Sequence, residues 1–451
     1  MKTTNDFMGT KPVLPLLLSM SVPMMLSMLI QALYNIVDSI YISRLGTQAL
    51  TAVSLAFPLQ NITIAVSVGV GVGISSAISI YLGAKNQEKA DRAATIGIAL
   101  SLVHCIFFLV FGLLVTRPFL SLFTNDVTTL ELSCQYTYIV MCVSFGCLLQ
   151  LAMEKIFQAV GAMKETMLLL ASGCIINIIL DPILIFGLLG FPSMGITGAA
   201  IATVIGQIAA FLLYIVVYLK KRKRFPVAVR MSALCWDKEI IKRIYSVGIP
   251  STIMMLLPSV LISLLNRLLI NFSELYVAVL GVYFKLQTFI YMPANGIVQG
   301  MRPIIGFNYG AGNTKRVKSV IRYSLLCSAA IMLAGTIAAM AFPAQIFSMF
   351  DAEEALLSAG TTALRVISCG FLVSTIGIIY SGVFESLGMG KHSLAISLLR
   401  QFIITLPLSL CLPQFIGVAG IWAAFPIAEL CASLAAIPML RKVEGGNLSP
   451  F

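Results

Sequence analysis

Apolar runs of about 20 residues or more recur along this chain from one end to the other. That is the length an α-helix needs to cross about 30 Å of hydrocarbon at 1.5 Å per residue. In hydrocarbon every backbone N–H and C=O must find its partner within the structure, so such runs predict spanning helices. Composition agrees: 59% of the 451 residues are hydrophobic, 11% are charged, and the mean hydropathy is +0.97, whereas a soluble domain carries roughly 25% charged residues. Twelve runs, at 13–43, 50–82, 93–116, 130–152, 166–190, 196–219, 244–271, 275–306, 320–342, 355–387, 393–416 and 418–440, predict an all-α integral membrane protein with twelve transmembrane helices. No stretch between them is long enough for a soluble domain. The polar Met1–Lys11 segment leads into a run longer than a signal-peptide core, with no small-residue cleavage site after it, so it is expected to stay as the first span.

The net charge of +12 would suit nucleic acid or an anionic membrane surface, and position decides between them. Lys85, Lys89, Arg92, Lys155, Lys164, Lys315, Arg316, Lys318 and Lys391 all fall in or beside even-numbered connections. The longest of these begins Lys220-Lys221-Arg222-Lys223-Arg224. Opposite connections carry little beyond Arg44 and Arg117, and one is acidic, with Asp351, Glu353 and Glu354. The positive-inside rule then places both termini in the cytoplasm of a multi-pass cell-membrane protein. The basic run reads as an anchor on anionic lipid, with no nucleic-acid partner. Ten cysteines are scattered without a CxxC pair and read as small core hydrophobes; His104 and His392 have no companions that suggest a metal.

Several residues recur at one separation of 227: Pro23 and Pro250, Leu59-Gln60 and Leu286-Gln287, Gly83-Ala84-x-Asn86 and Gly310-Ala311-x-Asn313, and Phe157, Gly161 and Lys164 with Phe384, Gly388 and Lys391. Further on the offset slips, aligning Gly195-x-x-Gly198 with Gly417-x-x-Gly420. The chain therefore divides into an N-terminal lobe, 1–219, a basic cytoplasmic linker, 220–243, and a C-terminal lobe, 244–451. Six spans per half make the repeats parallel, which predicts two lobes around a central cavity, an arrangement used by secondary transporters.

An ionisable group inside a span marks a functional site unless it reaches water or a partner. Gln31, Tyr34, Asn35 and Asp38 fall at i, i+3, i+4 and i+7 of the first span, one polar stripe. Asn177 and Asp181 lie one turn apart in the fifth, and Thr203 lies at a similar depth in the sixth. Two carboxylates, an amide and a hydroxyl in a dry setting make a proton or Na⁺ site, since crowded carboxylates hold a proton and oxygen ligands suit a hard cation. The plainer reading makes Asp38 and Asp181 helix-end residues in contact with headgroup water. Glu154, beside Lys155, is either a substrate contact or an interface marker. Arg267, Lys285, Glu385, Arg400 and Glu429 read as structural ion pairs, with Lys285 also a candidate for lining the cavity. Pro23, Pro58, Pro182, Pro250, Pro293 and Pro407 interrupt helices and favour bending.

These residues resemble the multidrug and toxic compound extrusion (MATE) transporters, in the branch of the DinF-like and MepA-like proteins. The resemblance is carried by Tyr34-Asn35-Ile-Val-Asp38 after Pro23, Leu45-Gly46, Gly83-Ala84-Lys85-Asn86, Glu154 with Ala159-Val-Gly161, and above all Asn177-Ile-Ile-Leu-Asp181-Pro182. Gly198-Ala-Ala-Ile-Ala-Thr203 adds to it. It implies an antiporter, not an enzyme, that expels small lipophilic organic cations against H⁺ or Na⁺, as a monomer and with no cofactor beyond the coupling ion. The cation site it implies is Asp38, Asn177 and Asp181, where Na⁺ is possible, with Thr203 as a further ligand. Gln31, Tyr34, Asn35, Glu154 and Lys285 are the candidate substrate contacts. The other branch, related to NorM, relies on a glutamate in the seventh span, where this chain has Asn266 and Arg267. The alternatives are a lipid-linked oligosaccharide flippase of the same superfamily and a membrane-embedded transferase. The first would favour a basic cavity, and the second needs Asp-rich or His-based motifs that are not found. ATP-driven transport has no GxxxxGK[ST] to support it.

Overall fold

A computed structural model of the chain describes residues 6–350 and 353–445. Asp351 of the acidic connection and residues 1–5 of the polar N-terminus lie outside the described residues. The described residues form helices joined by turns and, at 222–237, by a longer segment, and ten helices are long and apolar enough to cross a membrane. They are α1 (Val13–Ser43), α2 (Thr47–Gly83), α3 (Gln87–Leu120), α5 (Met163–Phe186), α6 (Gly195–Lys221), α7 (Lys238–Leu269), α8 (Glu274–Gly310), α9 (Thr314–Ala341), α11 (Gly390–Ile416) and α12 (Ala419–Val443). Two bent pairs complete the set as α4 (Val127–Cys142 with Phe145–Ala159, 44°) and α10 (Glu354–Ser368 with Phe371–Ser386, 53°), giving twelve spans when each pair counts as one. The chain is an all-α membrane protein.

Helix ends overrun the apolar runs. α3, α7 and α9 start six residues before theirs, at Gln87, Lys238 and Thr314, because a helix set by its hydrogen bonds continues into water where hydropathy has already fallen. The recurring Gly-Ala-x-Asn segment is a turn between two such helices. Lys85 (φ 57°) and Gly312 (φ 70°), one repeat apart, take the left-handed conformation that ends a helix. The next residue caps the following helix: Asn86 Oδ1 accepts from Lys89 N at 3.1 Å, and Asn313 Oδ1 from Arg316 N at 3.1 Å. Asn86→Ala is expected to cost about 1 kcal/mol, read as a lower melting temperature in detergent, and Asn313→Ala the same.

The chain forms two compact units, one centred on Leu26–Thr252 and the other joining Met8–Met25 to the chain from Ile253 onward. In the first, the half of α2 from Gly69 to Gly83 is buried throughout and is its packing centre; in the second, α8 from Gly296 to Tyr309 has that place. The segment after α6 is folded into the first unit. Phe225 packs on Phe157 and Tyr218, with ring centroids 4.8 and 5.2 Å apart. Three successive backbone donors there, Ala228, Val229 and Arg230, bond Asp91 Oδ1 (2.9 Å), Tyr218 Oη (2.8 Å) and Thr95 Oγ1 (3.1 Å).

Candidate cation site in the first unit

Close approach of α5 and α6 starts the site. A Cβ on Gly206 would stand 3.0 Å from Asn177 Cβ, and one on Gly173 would stand 2.8 Å from Ala210 Cβ, so two glycines let the helices nearly touch. Thr203, one turn before Gly206, is thereby brought to Asn177, whose Nδ2 donates to Thr203 Oγ1 at 3.5 Å. Asp181 lies one turn beyond Asn177 and is followed by Pro182, which has no N–H to give the carbonyl of Ile178.

α1 closes the site from another side. Tyr34 and Asp38, one turn apart and partly buried, face it: Asp38 meets Asp181 side chain to side chain, and Tyr34 meets Thr203. Tyr136 of α4 joins Thr203 and Gln60 of α2. Ala52, Ala56, Val140, Ile185 and Ala199 pack around Tyr136 as a dry wall.

Asp181 is 0% exposed, Asn177 2% and Thr203 4%. Asp38 Oδ1, both carboxyl oxygens of Asp181 and Asn177 Oδ1 are enclosed without a hydrogen-bond donor. No lysine or arginine among the described residues pairs with either aspartate. Two bare carboxylates side by side in a medium of effective dielectric ~20 repel by about 4 kcal/mol at 4 Å. A proton or an oxygen-seeking cation relieves that repulsion and supplies the missing partner.

The family profile MatE matches residues 23–183 and again 250–411, so each half of the chain carries the pattern separately. The chain belongs to the MATE family. Among the relatives of this MATE protein, the multidrug export protein MepA of Staphylococcus aureus is 28% identical over 435 residues, covering 94% of this chain and 93% of its own. A MOP superfamily transporter from Pyrococcus furiosus, whose structure is described as having a binding pocket of reverse polarity, superposes with a TM-score of 0.91 at 26% identity over 99% of both chains. The structure described as an outward-facing multidrug resistance MATE transporter gives the same TM-score, identity and coverage.

Within this MATE fold the other sequence candidates fall elsewhere. Gln31 and Asn35 are exposed, so the stripe of α1 divides into a half-buried row of Tyr34 and Asp38 and an exposed row of Gln31 and Asn35. Glu154 is buried, and its Oε1 accepts from Lys155 Nζ and Gln158 Nε2, both at 2.9 Å. Lys285 is exposed on α8, as is Arg267 on α7. In the second unit Arg400 Nε lies 3.6 Å from Glu429 Oε1, and Glu385 pairs with Arg302, which the sequence did not mark as a candidate. Tyr136 and Gln60 also escaped sequence reading. Gln60 belongs to the repeated Leu-Gln pair and carried a signal; Tyr136, an aromatic in an apolar run, carried none.

Proposed function

We propose that this MATE protein is an antiporter of the cell membrane that exports small lipophilic organic cations in exchange for H⁺ or Na⁺ bound between Asp38 and Asp181. The observation that carries the reading is the facing pair of carboxyls in the first unit, enclosed and without a donor. MepA, named for multidrug export and matched over nearly its whole length, supports export of drugs, and the negative charge of the pair supports their being cations. Asn177 and Thr203 complete an oxygen set for the ion, and Tyr34 and Tyr136 border it. Filling the pair with an inward-moving ion removes its negative charge, so a cationic substrate held by that charge is released, and ion and substrate compete. Each inward charge supplies about 2.3 kcal/mol per 100 mV, enough for a concentration ratio of roughly fifty. The bias of lysine and arginine toward even-numbered connections supports cytoplasmic termini. The protein works as a monomer with no cofactor beyond the coupling ion.

The test is ethidium efflux in vesicles with the H⁺ and Na⁺ gradients dissipated separately. Efflux that stops with one gradient and persists with the other identifies the ion. Efflux that survives the loss of both contradicts antiport.

A further inference from the structure

Exposed residues on the spans are of two chemical kinds. On α3 every exposed residue between Leu102 and Leu114 is apolar, Val103, Ile106, Val110 and Leu113 among them, as a surface toward lipid should be. α8, in the second unit, is different. From Glu274 to Thr288 its exposed residues are Glu274, Ala278, Gly281, Lys285 and Thr288, whose spacing of three and four puts them on one face. The opposite face, with Val279, Leu280 and Tyr283, is buried. A face of two charged groups, a hydroxyl and two small residues suits water and not hydrocarbon.

The first repeat builds a similar face on α2. There Thr47, Thr51, Ser54 and Pro58 are exposed, each 227 residues before its counterpart on α8. Thr51 Oγ1 and Ser54 Oγ donate to the carbonyls of Thr47 and Leu50 at 2.9 and 2.8 Å, so these four positions are polar without charge. Lys285 stands where the first repeat has Pro58, directly ahead of the repeated Leu-Gln pair, and the shared scaffold therefore does not call for an ammonium there.

Lys285 lies about three turns, roughly 16 Å, inside α8 from Glu274, too far for the two to pair. No carboxylate among the described residues forms an ion pair with it. An unpaired ammonium in a span is costly to keep, which marks it as functional. Its neighbours on the face leave it room. One turn before it, a Cβ on Gly281 would meet nothing within 4 Å, and one turn after it Phe289 is 49% exposed at the edge of the face.

We propose that Lys285 is a specificity-determining residue whose ammonium binds a carboxylate carried on an aromatic ring of the substrate. The inference deepens the antiport reading and rests on it: the protein exports compounds that carry such a carboxylate beside their cationic group, and Lys285 is what admits them. An ammonium holds a carboxylate by a charge-assisted hydrogen bond, the open space at Gly281 accepts the ring, and Phe289 offers it an aromatic surface.

The experiment measures initial uptake into inverted vesicles of two dyes that differ by one ester. Tetramethylrhodamine carries a benzoate, and its methyl ester is a plain lipophilic cation. The ratio of acid to ester uptake is expected to fall at least tenfold in Lys285→Gln, through a higher KM for the acid. In Lys285→Arg, which keeps the charge, it is expected to stay within threefold of the parent. Tenfold corresponds to about 1.4 kcal/mol, which is within the reach of one hydrogen bond to a charged group. A ratio in Lys285→Gln within threefold of the parent overturns the inference, whether both rates fall together or neither does. An equal fall in Lys285→Arg overturns it as well. So does a parent protein that takes up the ester and leaves the acid outside, a result that needs no variant to fold. Ester uptake that survives the loss of both ion gradients counts instead against antiport.

Discussion

An Asp181→Asn variant is expected to lose gradient-driven ethidium efflux down to the level of empty vesicles while melting no lower than the parent protein. An amide takes up neither a proton nor a cation in exchange for charge, so coupling at the pair ends with this single change. The same amide brings an N–H donor into a site where Asp38 Oδ1 has none, and it removes the repulsion between the two groups when both are ionised. Stability and function should therefore move in opposite directions, as happens where a site stores unfavourable electrostatics for use in a reaction. Asp38→Asn is expected to behave alike. Efflux that stays gradient-driven in either variant eliminates the site, and a joint loss of efflux and melting temperature assigns the aspartates to the scaffold.

An Arg302→Met variant should show the opposite pattern, a large loss of stability with no direct effect on ion coupling. Arg302 of α8 holds Glu385 of α10, whose side chain is 5% exposed. Removing one partner of a buried ion pair strips the other charge of its counter-charge and typically costs 3–5 kcal/mol, less where the remaining group keeps other contacts, whereas replacing both partners with apolar side chains is often close to neutral. Arg302 is itself 22% accessible, so about 3 kcal/mol is the better expectation. Heat-step fluorescence size-exclusion should show a marked fall for Arg302→Met and recovery of most of it in Arg302→Met with Glu385→Met. A single variant that melts like the parent would mean the pair does not tie α8 to α10.

The spans were legible in the sequence because hydrocarbon demands them, and the ionisable residues of the site were legible because Asp38 and Asp181 interrupt apolar runs. Helix ends were not, since α7 from Lys238 is held by backbone hydrogen bonds in a stretch whose composition is polar. Nor were the bends of α4 and α10: no proline stands at Val143-Ser144 or Cys369-Gly370, and the apolar run continues through both breaks. Tyr136 enters the site through packing of α4 against α2 and α6, a contact that no local pattern encodes. The repeat suggested six consecutive spans closing on themselves in each half, with division at 219 and 244. Compactness adds a division of another kind, inside α1 and α7, because glycines that look like ordinary small residues in α2 and α8 form seats for helices distant in sequence.

The crossed seating of α1 and α7, whose opening halves pack on α8 and α2 respectively, bears on how such a chain is made. When the first half emerges from the ribosome, α2 presents Gly69 and Gly73 with nothing yet to cover them, and the opening half of α1 has no α8 to rest on. Neither half can complete its packing until the other has been inserted, so maturation has a late step that joins the two. A polypeptide severed between 231 and 237 would leave each fragment with a vacant groove and an orphaned half-helix that fits only its sister. Reassembly from two co-expressed pieces is then a clasp of complementary ends, in which each fragment acts as the assembly partner of the other.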